Sequence, residues 1–338
     1  MGHGKVWPAH PKPCPDELLS SWVVRVAAAN GIKLQTLSRM LFGEGFSPWN
    51  RDIDRSAPPE LIRALSRHTG ISHRDLLQTT LLTYRTRLYP RRQEAGQLRW
   101  LLPVRHYGTR HLAFGQQFCP ACLASDPVAY FRKQWRVALF TYCPDHQVEL
   151  HDACPDCHAP VVHYRGDFGK ELKDAWPMYI CHACGADLRE AERTAVYFPS
   201  DELHRIFGEM LRSLGRLAAE AGQFDLGFFA VMHQFCRVMG TGQNQGKLRR
   251  YLIERVGIPA MPQSPAGRIS IEERRRYERH LWLLCALWLM VDLEHRLRDA
   301  WLAKAVRYNL MTKDFEGAPG WYRKLVERFA DWRRDCSS

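Results

Sequence analysis

The sequence has no apolar run long enough to cross a bilayer. Its longest, residues 281–291, falls well short of the roughly 20 apolar residues a spanning helix needs, and it reads as a buried helix. The N-terminus is polar and rich in proline and histidine, unlike a secretory leader, so the expected location is the cytoplasm. The phosphate loop GxxxxGK(S/T), HExxH and the glycine-rich dinucleotide fingerprint are all missing. Their absence removes the usual local marks of nucleotide, metalloprotease and dinucleotide chemistry. Acidic residues are in deficit, 36 against 48 lysines and arginines, and lie scattered, with no local pattern for holding Mg²⁺. A non-enzyme is therefore expected. No long-period repeat or low-complexity tract is visible.

What the chain has in excess is positive charge, formally +12 over 338 residues. That length accommodates two or three domains with real cores. An anionic partner is expected, nucleic acid first, with a merely solubilising surface as the plain alternative. Of the 11 cysteines, four (Cys14, Cys236, Cys285 and Cys336) show no disulfide-like arrangement. Cys236 and Cys285 lie in apolar helical patterns and read as core residues. A reducing compartment fits this usage.

The other seven cysteines and one histidine form four pairs in succession: Cys119–Cys122, Cys143–His146, Cys154–Cys157 and Cys181–Cys184. Two intervening residues let both side chains of a tight knuckle reach one Zn²⁺. Eight ligands complete two tetrahedral sets, Cys₃His and Cys₄, holding two structural Zn²⁺ with no position open for water. Metal-assisted hydrolysis then has no foothold. Seven thiolates against two divalent ions lower the net charge by three, to roughly +9. Proline follows the first cysteine of three pairs and Gly185 follows the fourth, as tight turns require. Sequential and cross-brace pairing are both open, since only seven residues separate His146 from Cys154. Sequential pairing is favoured because each intervening segment can fold back as its own unit. His158 and His182 are not expected to be ligands, because the pairs already fill both sites.

Around this module the pattern is helical. Pro15-Asp16-Glu17 opens a helix with acidic residues in its first turn, ended by Asn30-Gly31, and a second helix with Leu34, Leu37, Met40 and Leu41 on one face follows. A similar pair recurs from Pro58-Pro59 through Thr69-Gly70-Ile71, with Ser72 and Asp75 capping the second helix. Helix, glycine turn, helix is the helix-turn-helix layout, though plain all-α cores use it as well. Arg74 and Gln78 on that last helix are candidates for reaching bases or phosphates. Residues 83–111 interleave Arg85, Arg87, Arg91, Arg92, Arg99, Arg105 and Arg110 with Tyr84, Tyr89, Trp100 and Tyr107. Such a mixture suits a nucleic-acid backbone with stacked bases, or a linker packed on the zinc module. Later helices start at Ser200-Asp201-Glu202, near residue 225, and at Ser270-Ile271-Glu272-Glu273, a capping box. This last run carries Arg274-Arg275-Arg276, a binding face or a solvated surface. The expected fold is mainly α with small β zinc-ribbon elements. Its divisions are a helix-turn-helix-like region (1–112), tandem zinc fingers (113–198) and a C-terminal helical domain (199–338).

The run Phe118-Cys119-Pro120-Ala121-Cys122-Leu123, then Trp135-Arg136, Cys143-Pro144-Asp145-His146, Leu150, Cys154-Pro155-Asp156-Cys157 and Pro160 resembles the TniQ family. The opening Pro15-Asp16-Glu17-Leu18-Leu19-Ser20-Ser21-Trp22 is similar to that family's first motif, and Pro319-Gly320-Trp321-Tyr322 more loosely to its C-terminal region. The match spans about residues 10–190. The resemblance implies a target-selection protein of bacterial DNA transposition, like TniQ and the related TnsD proteins. Such proteins help recruit an AAA+ ATPase regulator and the transposase. Some members read attachment-site DNA directly; others form a homodimer docked on an RNA-guided CRISPR effector, a ribonucleoprotein. The reading from another class is a sequence-specific helix-turn-helix regulator that acts without transposition machinery.

Overall fold

A computed structural model describes residues 6–43, 49, 51–90, 96–104, 106–107, 110–111, 113–215, 222–240, 246–259 and 269–329. Among them are thirteen α-helices and two short antiparallel hairpins. The chain divides into two compact units, one of Met1–Arg85 with Leu102–Ala195, the other of Thr86–Leu101 with Val196–Ser338. The cysteine segment thus shares a unit with the N-terminal helices, and residues 86–101 belong with the C-terminal ones.

In the first unit, α1 (Leu19–Ala29) and α2 (Leu34–Phe42) are joined by the expected turn, with Gly31 at φ 64°. Next come α3 (Ile53–Ser56), α4 (Pro59–Thr69) and α5 (His73–Gln78), with Gly70 left-handed between the last two. Leu19, Trp22, Val26, Leu37, Leu61 and Leu65 form one core beneath them. Helix α1 starts later than the acidic pair before it suggests. Asp16 and Glu17 do not sit in its first turn; both serve as anchors. The Asp16 carbonyl and carboxylate accept the amides of Lys133 (2.7 Å) and Gln134 (3.1 Å). Glu17, buried, accepts from the Cys14 amide, the Ser21 hydroxyl and the Arg25 guanidinium at 2.8, 3.0 and 2.6 Å. A buried carboxylate needs such partners, which outweighs the weaker benefit of facing a helix dipole.

The rest of this unit carries the hairpin β1 (His106–Tyr107)/β2 (Arg110–His111), α6 (Pro120–Ser125), and the hairpin β3 (Tyr142–Cys143)/β4 (Val148–Glu149). A buried polar network joins it to the helices. The Arg136 guanidinium lies 2.6 Å from Asp52 and 3.5 Å from Asp54, and also donates to the Leu102 carbonyl. Asp54 accepts from both the amide and the hydroxyl of Ser20 at 2.8 Å, and Ser20 Oγ lies 3.0 Å from His163 Nε2.

The second unit is built from α7 (Asp201–Leu214), α8 (Leu226–Gly240), α9 (Lys247–Val256), α10 (Arg276–Val291), α11 (Leu293–Leu302), α12 (Tyr308–Thr312) and α13 (Gly320–Val326). Ser200 caps α7 through the Leu203 amide. Helix α10 is buried over 281–287, as the apolar run predicts, and packs on α8. The capping pair Ser270/Glu273 forms, at 3.4 Å, but closes a single 3₁₀ turn (Ile271–Glu273), and α10 begins only at Arg276. Arg274 is consequently buried, 3.7 Å above the Trp282 ring, which removes it from any binding face. No described helix is long and apolar enough to cross a membrane.

Candidate metal centres

The four pairs converge sequentially into two groups, Cys119/Cys122/Cys143/His146 and Cys154/Cys157/Cys181/Cys184, the ligand atoms of each lying within 4.8 Å of one another. Local backbone explains why. In the first pair, proline at the start of α6 turns the chain, and the Cys119 sulfur accepts the Cys122 amide at 3.4 Å. The other three pairs share a different knuckle. The residue four positions after the first ligand (Gln147, His158 or Gly185) is left-handed, with φ of 56°, 57° and 83°. Its amide returns to the carbonyl of that first cysteine at 2.8, 3.1 and 3.0 Å respectively. Glycine is the easy choice there. At Gly185 a second constraint acts, since a Cβ would stand 3.2 Å from the Trp176 ring. His158 is thus a turn residue, and neither it nor His182 is in a cluster, as the spacing suggests.

The distances test whether a tetrahedral ion fits. Usual Zn–S and Zn–N lengths give tetrahedral edges of ~3.8 Å between sulfurs and ~3.6 Å between sulfur and nitrogen. In the first group, Cys122 Sγ and Cys143 Sγ are 3.6 Å apart, and His146 Nδ1 lies 3.8, 3.3 and 3.4 Å from the sulfurs of Cys119, Cys122 and Cys143. In the second, the pairs Cys154–Cys184 and Cys157–Cys181 are both 3.7 Å apart. Both groups are the size of a four-ligand shell, so each can hold one metal ion. Crowding moves the thiols of each group in opposite directions: hydrogen bonding to Cys119 and Cys143 pushes Cys122 far up while hydrogen bonding to Cys119 and Cys122 draws Cys143 down. In the second group burial pushes Cys181 up to about 12. The groups differ in exposure: the three cysteines of the first are buried, whereas Cys157 and Cys184 of the second are exposed.

The nucleic-acid candidates fare unequally. Arg74 and Gln78 are exposed on α5, where Ser72 Oγ caps the Asp75 amide at 3.1 Å as its position predicts. Gln78 borders a cleft of about 620 Å³ also lined by Lys12, Asp16, Glu17, Ser72 and Lys133. Arg85 is half-buried. Arg87 is buried and donates to the Ser213 carbonyl, so it leaves the candidate set. Arg91 and Arg92 lie outside the described residues, as does Arg105. The interleaved aromatics are corrected too. Tyr84, Tyr89 and Trp100 are buried, Trp100 donating to the Phe229 carbonyl while its amide reaches Glu272. Large aromatic surfaces favour the core over exposure when a core is within reach. The sequence reading missed Asp52, Asp54 and His163. Two isolated aspartates and one histidine carry no local pattern, and only Arg136 stood within a recognised motif.

Two four-ligand clusters that could each hold a metal ion, in a mainly helical chain, define its class. Residues 8–150 match the TniQ family model. The match includes the first centre and ends four residues after His146, short of the 190 suggested by the motifs. The second centre and the helices from α7 onward lie beyond it. No curated protein matches the chain.

Proposed function

We propose that the chain is a zinc-stabilised, non-catalytic adaptor that selects targets for bacterial DNA transposition. In this reading it links a target-recognition element, either attachment-site DNA or an RNA-guided CRISPR effector, to an AAA+ regulator and the transposase. The observation that carries the reading is the TniQ match over residues 8–150, which spans Asp52, Asp54 and Arg136, the opening motif and a complete Cys₃His set. Zn²⁺ is the proposed ion for both sets because three or four thiolates in a closed tetrahedron suit it better than harder divalent ions. Its chemistry there is structural, since no ligand position is left for substrate or water. The pairs α1/α2 and α4/α5 are the proposed helix-turn-helix elements. Arg74, Gln78 and Arg85 are the proposed nucleic-acid contacts.

The test is reconstituted insertion with purified regulator, transposase and donor DNA, with and without this chain. Insertions that cluster at one target only when the chain is added support the adaptor. Clustering that persists without it contradicts the reading. Tight sequence-dependent binding to DNA, with no effect on insertion, would favour the stand-alone regulator.

A further inference from the structure

The segment between the two ligand pairs of the second centre, residues 158–180, does more than close a metal loop. Asp167 Oδ2 accepts the Leu34 amide at 2.7 Å, the first amide of α2, a helix whose own N-cap residue, Lys33, offers no side-chain cap. His163 stacks on Phe131 at 4.3 Å and meets the Ser20 hydroxyl on α1. Tyr164 packs against the core shared by α1, α2 and α4. One segment, pinned at both ends by cysteine pairs, thus reaches α1 and α2 at three points.

We propose that the second metal centre is a clasp: its occupancy holds residues 158–180 against the α1/α2 pair and sets the order of those helices. The proposal rests on the reading of Cys154, Cys157, Cys181 and Cys184 as metal ligands. Its logic is entropic. A loop of this length, released at one end, must fix many more torsions to make the same three contacts. Two of the four ligands are exposed, so this centre is the one a competing chelator reaches first.

The test compares full-length wild type, Cys157→Ser and Asp167→Ala by metal content and by hydrogen exchange of α1, α2 and α8. For Cys157→Ser we expect one ion lost of two, α2 amides exchanging about tenfold faster, and α8 unchanged. Asp167→Ala, which leaves the ligands intact and so guards against a misfolded cysteine variant, should keep both ions and speed exchange at the start of α2 alone. Loss of one ion with unchanged α2 exchange overturns the clasp, as does uniform acceleration across the chain. A wild type holding no metal overturns the ligand reading itself, and the metal count tells that failure from an idle clasp.

Discussion

Arg136 holds two carboxylates that would otherwise be stranded. It is 2% exposed, and Asp52 and Asp54 converge on it. Truncating one partner of a buried ion pair leaves uncompensated charge, which costs about 3–5 kcal/mol. Arg136→Ala should lose stability on that scale in urea unfolding, with no change in metal content, since no ligand is touched. His163 gives the same network a pH dependence. Burial, reinforced by the Arg136 charge, lowers its pKa from 6.5 to about 3. The unfolded chain takes up this proton as pH falls below about 6.5, while the folded chain resists until about 3. His163 therefore costs stability increasingly across that window, by at most about 1.4 kcal/mol per pH unit. Burial raises Asp54 to about 6, with the opposite sign: folded Asp54 takes up its proton first, which favours folding as pH falls. The difference between wild type and His163→Gln isolates the histidine. We expect the wild type to lose stability relative to the variant as pH falls from 6.5 to 4, and a constant difference would refute the assignment.

At the scale of elements, the knuckles separate what spacing encodes from what it hides. The two clusters were legible because two-residue spacing lets both side chains of a knuckle reach one point. Gly185 was legible as a turn residue, but Gln147 and His158, in the same left-handed conformation, were not. Backbone strain at a non-glycine position leaves no mark in a sequence when the surrounding knuckle enforces it. His158→Gly should accordingly keep both ions and leave stability within about 1 kcal/mol of wild type, the eased φ offsetting the added unfolded-state freedom. Loss of an ion on that substitution, measured by metal analysis, would make His158 a ligand. Helix positions were largely readable, because apolar spacing and caps such as Ser72 and Ser200 act locally. The start of α1 was not: Asp16 and Glu17 look like first-turn acids until Lys133, Gln134 and Ser21, distant or hidden in sequence, claim them.

For the whole molecule, the decisive quantities are net charge and its distribution between two units. The excess of lysine and arginine was plain, but which arginines face outward was not. Arg87 and Arg274 are buried, Arg74 exposed, and only packing sorts them. Arg74→Ala should therefore weaken DNA association across all sequences and lower the salt slope by about 1, with the unfolding curve unmoved. An unchanged affinity and slope would take α5 out of the interface. The TniQ match falls within the first unit plus residues 86–101. The zinc-stabilised reading and the clasp both depend on the two clusters being closed metal shells. Metal analysis with zinc X-ray absorption on the purified chain tests that directly. We predict two zinc ions per chain in a first shell of sulfur at ~2.3 Å with a minor nitrogen component and no oxygen. Fewer than two ions, or a water oxygen in the shell, would contradict it.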